Sequence, residues 1–267
     1  MIKLLCIDID GTLLDSQKEL PEENVKAVHY AMEKGVAVAL ASGRSVSGMR
    51  PVMKELGTGD RAVCLNGSLI YYDKVIHQAV MEEALVDRVI RLAEQYGSQI
   101  FLSAAERNYT NGEVSPKLKA LIEKGSLRSD YHYCADFEEL KAEARLHAGE
   151  ILKIAVKELD EENFDLLKAD LVDSGLFHVA KSDTYFVDIN PKGINKGEGV
   201  RILAAYLGIP MEQVMCIGDN ENDREMVAVA GLGVAMGNAA ELVRMAADYV
   251  TADNDHHGVA EAIYRFI

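Results

Sequence analysis

Residues 2–13 read Ile2-Lys3-Leu4-Leu5-Cys6-Ile7-Asp8-Ile9-Asp10-Gly11-Thr12-Leu13. A short apolar run bounded by a turn signal reads as a buried strand, and this one runs straight into two carboxylates one residue apart. In open α/β sheets the carboxyl edge of the strands is where ligands bind, and acids delivered there are poorly solvated, so they call for a cation or a proton. Asp10-Gly11 alone would serve as a turn dipeptide capped by Asp8. The strand directly behind both acids, and the motifs further along, favour chemistry over a turn. A calcium-binding loop does not fit, because Gly11 comes too early and Thr12-Leu13-Leu14 stands where ligands belong.

Outward from this stretch, strand and helix alternate. Pro21, Glu22 and Glu23 open a helix with Val25, Val28 and Met32 on its apolar face, closed by Gly35. A strand over 36–41 ends in Ser42-Gly43-Arg44, a helix carries Met49, Met53 and Leu56, and a third strand over 62–65 ends in Asn66-Gly67. The alternation predicts a parallel sheet with right-handed crossovers. From Ser68 the rhythm changes: 68–72 and 75–80 flank Asp73-Lys74 as a hairpin, and Leu85, Val89 and Leu92 mark a helix ending at Gly97. Strands follow near 100–102, 151–156, 177–180 and 185–189, with helices near Leu118 to Ile122 and Phe164 to Leu171, a mixed α+β pattern. Alternation resumes with a helix opened by Lys196-Gly197 and a strand over 213–217 that ends in Gly218-Asp219-Asn220-Glu221-Asn222-Asp223, and a short helix, a strand over 232–235 and a final helix after Gly258 complete the sheet. The expected fold class is therefore α/β: a Rossmann-like, doubly wound parallel-sheet core over 1–83 and 189–267, with an inserted α+β cap over 84–188.

A chain of 267 residues is near the length at which one core splits into two. Its formal charge of −15 argues against nucleic acid or an anionic membrane surface as partner, so an anionic substrate needs a local positive site. No tract is long and apolar enough for a membrane span or a signal peptide, which makes a cytoplasmic protein the expectation; separately, a monomer or small homo-oligomer is expected. Cys6, Cys64, Cys134 and Cys216 lack ligand spacing and read as reduced, buried thiols. His256-His257 reads as a solvated pair, and the glycines of 231–237 miss dinucleotide-binding spacing.

Three strands thus end in polar groups: Asp8 and Asp10, Ser42 and Gly43, and Asp219. In a parallel sheet these ends share one edge, with Lys196 opening a crossover helix beside them. The set offers a carboxylate nucleophile, a second carboxylate for proton work, acids for a hard cation and donors for an anion. Phosphoryl transfer requires this combination, and oxygen ligands without His or Cys favour Mg²⁺.

At Asp8-Ile9-Asp10-Gly11-Thr12-Leu13-Leu14, Ala41-Ser42-Gly43-Arg44, Asn66-Gly67, Asn195-Lys196-Gly197, 218–223 and 231–239, the chain resembles the haloacid dehalogenase superfamily of phosphatases, in its Cof-type branch with an α/β cap. The resemblance implies Asp8 as nucleophile and metal ligand, and Asp10 as general acid and then base, its backbone carbonyl also on the metal. It implies Ser42, Gly43 and Lys196 on the phosphoryl oxygens, Asn222 on phosphate, and Asp219 as metal ligand supported by Asp223. Arg44 and Asn66 either touch substrate or brace loops. Asn195 stands where Asp is common in relatives. The expected activity is Mg²⁺-dependent hydrolysis of small phosphorylated metabolites, sugar phosphates or similar, through an aspartyl phosphate. A phosphosugar mutase of the same superfamily is the alternative, and a phospho-accepting signalling protein is disfavoured because it needs no inserted domain.

Overall fold

The computed structural model describes residues 1–113 and 131–267. Its first sheet has eight strands: β1 (Leu4–Ile7), β2 (Ala37–Ala41), β3 (Arg61–Cys64), β4 (Leu69–Tyr72), β5 (Val75–Gln78), β12 (Val214–Gly218), β13 (Leu232–Ala235) and β14 (Tyr249–Val250), in the order β14-β13-β12-β1-β2-β3-β4-β5. From β14 to β3 all pairings are parallel. The hairpin β4–β5 then extends the sheet in the antiparallel sense, so the sheet is mixed at that edge. The chain leaves β1 towards β2 and β3 and returns on the other side at β12, which makes the β1/β12 boundary the point where strand order reverses. Ligand sites of such sheets lie at the carboxyl ends of the strands beside that point.

Leu4, Leu5, Cys6 and Ile7 are all fully buried. A strand covered on both faces gives this unbroken apolar run, whereas a sheet with one wet face would alternate. The covering helices include α1 (Glu22–Glu33), α2 (Val46–Leu56), α6 (Lys196–Tyr206), α7 (Arg224–Val229), α8 (Glu241–Ala246) and α9 (Gly258–Phe266). Met49, Met53 and Met226 belong to this core, and all four cysteines are buried and unpaired.

Among the described residues, a second sheet of six strands comprises β6 (Gln99–Ser103), β7 (Asn108–Thr110), β8 (Tyr131–Tyr133), β9 (Lys153–Lys157), β10 (Phe177–Asp183) and β11 (Phe186–Pro191), in the order β10-β11-β9-β6-β7-β8. One face carries Ile100, Leu102, Ile154, Val156, Val187 and Ile189 into a core with helices α3 (Glu83–Tyr96), α4 (Phe137–Leu146) and α5 (Glu161–Asp173). The other face is set by the period of two along a strand: Lys153 and Ala155 from β9, Asp188 and Asn190 from β11, Phe101 from β6.

Strands β7, β8 and β14 and helices α4 and α8 have no counterpart in the sequence reading. The strands have three, three and two residues, too few to show a period. Helix α4 buries only Leu140 and Ala144, yet its start is marked: the Asp136 carboxylate accepts from the Glu139 N–H at 2.9 Å and Glu139 accepts from the Ala135 N–H at 2.6 Å. The helix expected near Leu118 to Ile122 lies outside the described residues. No described helix is long and apolar enough to cross a membrane.

Candidate active site

Parallel registry places Ile7 beside Leu40 of β2 and Ile217 of β12, so Asp8, one residue on, lies at the carboxyl edge next to the ends of both strands. Its N–H still donates to the Ile217 carbonyl at 3.0 Å, which fixes the backbone under the carboxylate. Asp8 is 4 % exposed. Oδ1 accepts a 2.6 Å hydrogen bond from Lys196 Nζ, and the same amine donates at 2.6 Å to Asp223 Oδ1.

Lys196 reaches this position because α6 begins at it. Asn195 caps that helix, its side chain accepting from the Glu198 N–H at 2.9 Å, a capping task open to Asn and Asp alike. The helix start sits against Gly67, whose φ is +96° and where an added Cβ would overlap the Asn195 carbonyl. Glycine is therefore demanded twice, by conformation and by contact. Leu65 and Asn66 before it also have positive φ, 50° and 54°, which ends β3 sharply and turns the Asn66 side chain to the edge.

Asp223 is fully buried, and its Oδ2 accepts the N–H groups of Asp219 and Asn220, each at 3.0 Å. Asp219 accepts from the Thr12 hydroxyl through Oδ1 at 2.6 Å. Asp8, Asp219 and Asp223 offer oxygens within 4.8 Å of one another. Three carboxylates stand around one ammonium, which bonds two of them, and among the described residues Asp8 Oδ2 and Asp219 Oδ2 receive no hydrogen bond. Burial, and then the neighbouring Asp223, push Asp8 well above the carboxylate range against the pull of Lys196. Burial and Asp223 likewise push Asp219 up to about 7, against the Thr12 hydrogen bond and Lys196. Burial alone would lower Lys196, but Asp223 and Asp8 outweigh it and raise its pKa. A charge deficit of this kind is relieved by a hard cation, whose oxygen preference the donor set meets.

Asp10 projects differently. Its carboxylate is gripped by Arg44, Nε to Oδ2 at 2.8 Å and Nη2 to Oδ1 at 2.6 Å, with Lys18 Nζ at 3.4 Å from Oδ1. Burial pushes Asp10 upward, but the Arg44 guanidinium and the Lys18 ammonium prevail and hold it below the ordinary range. Its side chain is outside the three-carboxylate cluster, so a metal role for Asp10 falls to its backbone carbonyl. Arg44, expected as a loop brace or a substrate contact, is in this arrangement the clamp on Asp10.

Ser42 is buried at the end of β2, and its Oγ accepts the Arg44 N–H at 3.3 Å. The β2 and β3 loops are laced together, Asn66 N–H to the Ser42 carbonyl and Leu65 N–H to the Arg44 carbonyl, each at 3.0 Å. Asn66 Oδ1 accepts from Asn222 Nδ2 at 3.2 Å, while Asn66 Nδ2 donates to Asp188 Oδ2 at 2.7 Å. Gly43 lies under the same group, its carbonyl accepting from Lys153 Nζ at 3.1 Å. Thr12, Lys18, Lys153 and Asp188 are the residues that sequence reasoning left out of the site. Thr12 stood inside the opening motif and could have been included; the others are distant in sequence or sit in a loop without periodicity.

The family model for haloacid dehalogenase-like hydrolases matches residues 5–263. The 5-amino-6-(5-phospho-D-ribitylamino)uracil phosphatase YcsE of Bacillus subtilis (strain 168) is 29 % identical over 268 residues, covering 100 % of this chain and 96 % of its own. A haloacid dehalogenase-like hydrolase from Bacteroides thetaiotaomicron superposes with a TM-score of 0.82 at 29 % identity, over 100 % of both chains. The subclass IIB sugar phosphatase BT4131 superposes with a TM-score of 0.85 at 25 % identity, over 99 % of this chain and 98 % of its own. With the carboxylate cluster, the buried lysine and the mixed sheets in agreement, the chain belongs to the haloacid dehalogenase-like hydrolases, in their Cof-type phosphatase branch, and is a hydrolase of phosphoric monoesters.

Proposed function

We propose that the protein is a Mg²⁺-dependent phosphatase of small phosphorylated metabolites, sugar or polyol phosphates above all, that works through a phosphoryl group carried on Asp8. The observation that carries this reading is the buried Asp8 carboxylate, one oxygen held by Lys196 and the other, among the described residues, without a donor, beside Asp219 and Asp223. The names of YcsE and BT4131, which specify a phosphoribityl compound and sugar phosphates, support the substrate class.

Asp8, Asp219 and the Asp10 carbonyl would hold Mg²⁺, with Asp223 orienting Lys196 and the Asp219 loop. When bound, the ion neutralises charge on the phosphoryl oxygens and the carboxylates. Asp8 Oδ2 attacks phosphorus as the bond to the leaving oxygen breaks, and that oxygen takes a proton from Asp10. Water then attacks the phosphorus of the aspartyl phosphate, gives its proton to Asp10 and frees Asp8. Arg44 keeps Asp10 ionised in the arrangement seen, the form that accepts a proton from water; to act as acid Asp10 leaves Arg44 and carries a proton, which in each later turnover is the one taken from the attacking water. Lys196, the Ser42 hydroxyl and the Gly43 amide balance the phosphoryl oxygens, and Asn222 binds the same group.

Residues 84–188 act in this reading as a cap. Besides Lys153 and Asp188, Asn220 Nδ2 donates to the Ser182 carbonyl at 2.8 Å and Lys168 Nζ meets Glu221 at 3.1 Å, so the second sheet is tied down beside the catalytic edge. On the face that carries Lys153 and Asp188, Phe101 and Ala155 form an apolar patch with Tyr131 and Phe186, suited to the carbon skeleton of a leaving group. His178, paired with Asn190, shares that face. Lys181 lies on the opposite face, 5.2 Å from the Phe164 ring centre, and is removed from substrate contact.

Phosphate release from a panel of esters with Mg²⁺ and with EDTA tests the reading: activity only with Mg²⁺ is expected, and full activity in metal-free buffer would overturn it. His178→Ala should change the ranking of kcat/KM among sugar phosphates by about 3- to 10-fold, the worth of one hydrogen bond, while sparing p-nitrophenyl phosphate. Equal losses on every ester would remove His178 from leaving-group recognition.

The raised Asp219 gives a further expectation. Without a cation the folded chain keeps this proton up to about pH 7, whereas the unfolded chain releases it near 3.8. The folded state then binds more protons between those values, so metal-free protein loses stability as pH rises through that window. A cation must displace the proton, and its stabilising effect should grow over the same window and level off above it. Thermal unfolding at about pH 5 and about pH 8 should show the larger Mg²⁺-induced rise in Tm at the higher pH; equal rises would count against Asp219 as a ligand.

A further inference from the structure

Lys153 and Asp188 are 6 % and 3 % exposed, and Lys153 Nζ lies 2.9 Å from Asp188 Oδ2. They belong to the second sheet, yet each spends a hydrogen bond on the first: Lys153 on the Gly43 carbonyl at 3.1 Å, Asp188 on Asn66 Nδ2 at 2.7 Å. The three side chains crowd the place where Gly43 lacks one. A Cβ built on Gly43 would stand 3.1 Å from Asn66 Oδ1, 3.2 Å from Asp188 Oδ2 and 3.2 Å from Lys153 Nζ. Asn190, also of β11, donates to the Leu65 carbonyl and to Ser68 Oγ, each at 2.8 Å, and so fastens the same strand to the loop that presents Asn66. The bonds continue inward, because Asn66 Oδ1 receives Asn222 Nδ2.

A buried ion pair is a poor source of stability, since desolvation offsets most of the attraction. Its use here is geometric. We propose that Lys153 and Asp188 are positioning residues of the phosphoryl-binding site: by holding the Gly43 carbonyl and the Asn66 amide, they fix the Gly43–Arg44 peptide, which adjoins the one carrying the Gly43 N–H, and, through Asn66, the Asn222 side chain. The phosphoryl site is then completed by the second sheet, whose contribution extends to every ester whatever its leaving group. This inference rests on the phosphatase reading above.

The two parts of the second sheet therefore differ in what their loss does. Residues that touch a leaving group change the ester profile; Lys153 and Asp188 act on the group all esters share. The test compares Lys153→Met, Asp188→Asn and the doubly neutral Lys153→Met/Asp188→Asn protein with the parent, using p-nitrophenyl phosphate, two sugar phosphates and inorganic phosphate as a competitive inhibitor. Misplacement of a binding group by about 1 Å costs roughly 10²-fold, so kcat/KM should fall about 10- to 100-fold to a similar degree for all three esters. The inhibition constant for inorganic phosphate, which has no leaving group, should rise alongside. Circular dichroism and thermal unfolding establish that the assayed protein is folded. Should a single variant fail to fold because its partner is left charged and buried, the double variant and Gly43→Ala carry the test; the latter pushes on the same three atoms from the first sheet and should reproduce the uniform loss. Losses confined to some esters with an unchanged phosphate constant, or parental activity in a folded double variant, would overturn the proposal. A parent protein that releases no phosphate would instead defeat the phosphatase reading, and this one with it.

Discussion

Asp8→Asn should fold as the parent does and release no phosphate, a loss of at least about 10⁴-fold, as when a covalent nucleophile is removed elsewhere. The amide has the shape of the carboxylate, so the 2.6 Å contact with Lys196 survives as a neutral oxygen accepting from the amine. What disappears is nucleophilicity. The electrostatics add a second readout. Because burial and Asp223 raise the Asp8 pKa, ionising it costs the metal-free fold more than it costs a free carboxyl. A neutral isostere should therefore leave the metal-free protein as stable as the parent or more so near neutral pH, while weakening Mg²⁺ binding. Retained phosphate release by a folded Asp8→Asn protein would mean that water attacks the ester directly.

Asp10→Asn should separate the two halves of the reaction. Loss of an acid–base group typically costs about 10²–10⁴-fold. With p-nitrophenyl phosphate the leaving group departs without protonation, so transfer to Asp8 should survive and hydrolysis of the aspartyl phosphate should bear the loss. The expected trace is a burst of p-nitrophenolate equivalent to one turnover per chain, followed by a slow steady state. Sugar phosphates, whose leaving oxygen needs a proton, should show no burst. A slow steady rate without a burst on p-nitrophenyl phosphate would place Asp10 in the first half alone or outside proton transfer. The substitution also leaves Arg44 without its carboxylate, so Arg44→Ala belongs beside it as a control: it frees Asp10 without removing it.

The polar cluster at the carboxyl edge was legible because parallel topology converts sequence pattern into position. An apolar run followed by Asp8, another by Ser42 and another by Asp219 become neighbours once β1, β2 and β12 are adjacent, with no knowledge of side-chain contacts required. Lys196 was legible for a related reason, as the first residue of a helix with an Asn195 cap. The sense of Arg44 was not, since a guanidinium at a strand end suits an anionic ligand and a carboxylate equally well. Lys153 and Asp188 were out of reach: they read as strand residues, and the partners they hold, Gly43 and Asn66, lie 110 and 122 residues away. Nothing in a period of two says which face of a second sheet meets the first. Lys181 illustrates the same limit, because the register with Val187, and only that, turns it towards the helices.

Phosphorus is expected to visit Asp8 on its way to water. The most direct measurement is acid quench of the protein during turnover of p-nitrophenyl phosphate with Mg²⁺, using the Asp10→Asn variant to accumulate the intermediate, followed by borohydride reduction of acyl phosphate and peptide mapping. The expected result is reduction at Asp8 alone, dependent on both ester and Mg²⁺ and absent from Asp8→Asn. Phosphate release by the parent with no modified aspartate in any sample, or with the modification at Asp219 or Asp223, would contradict it.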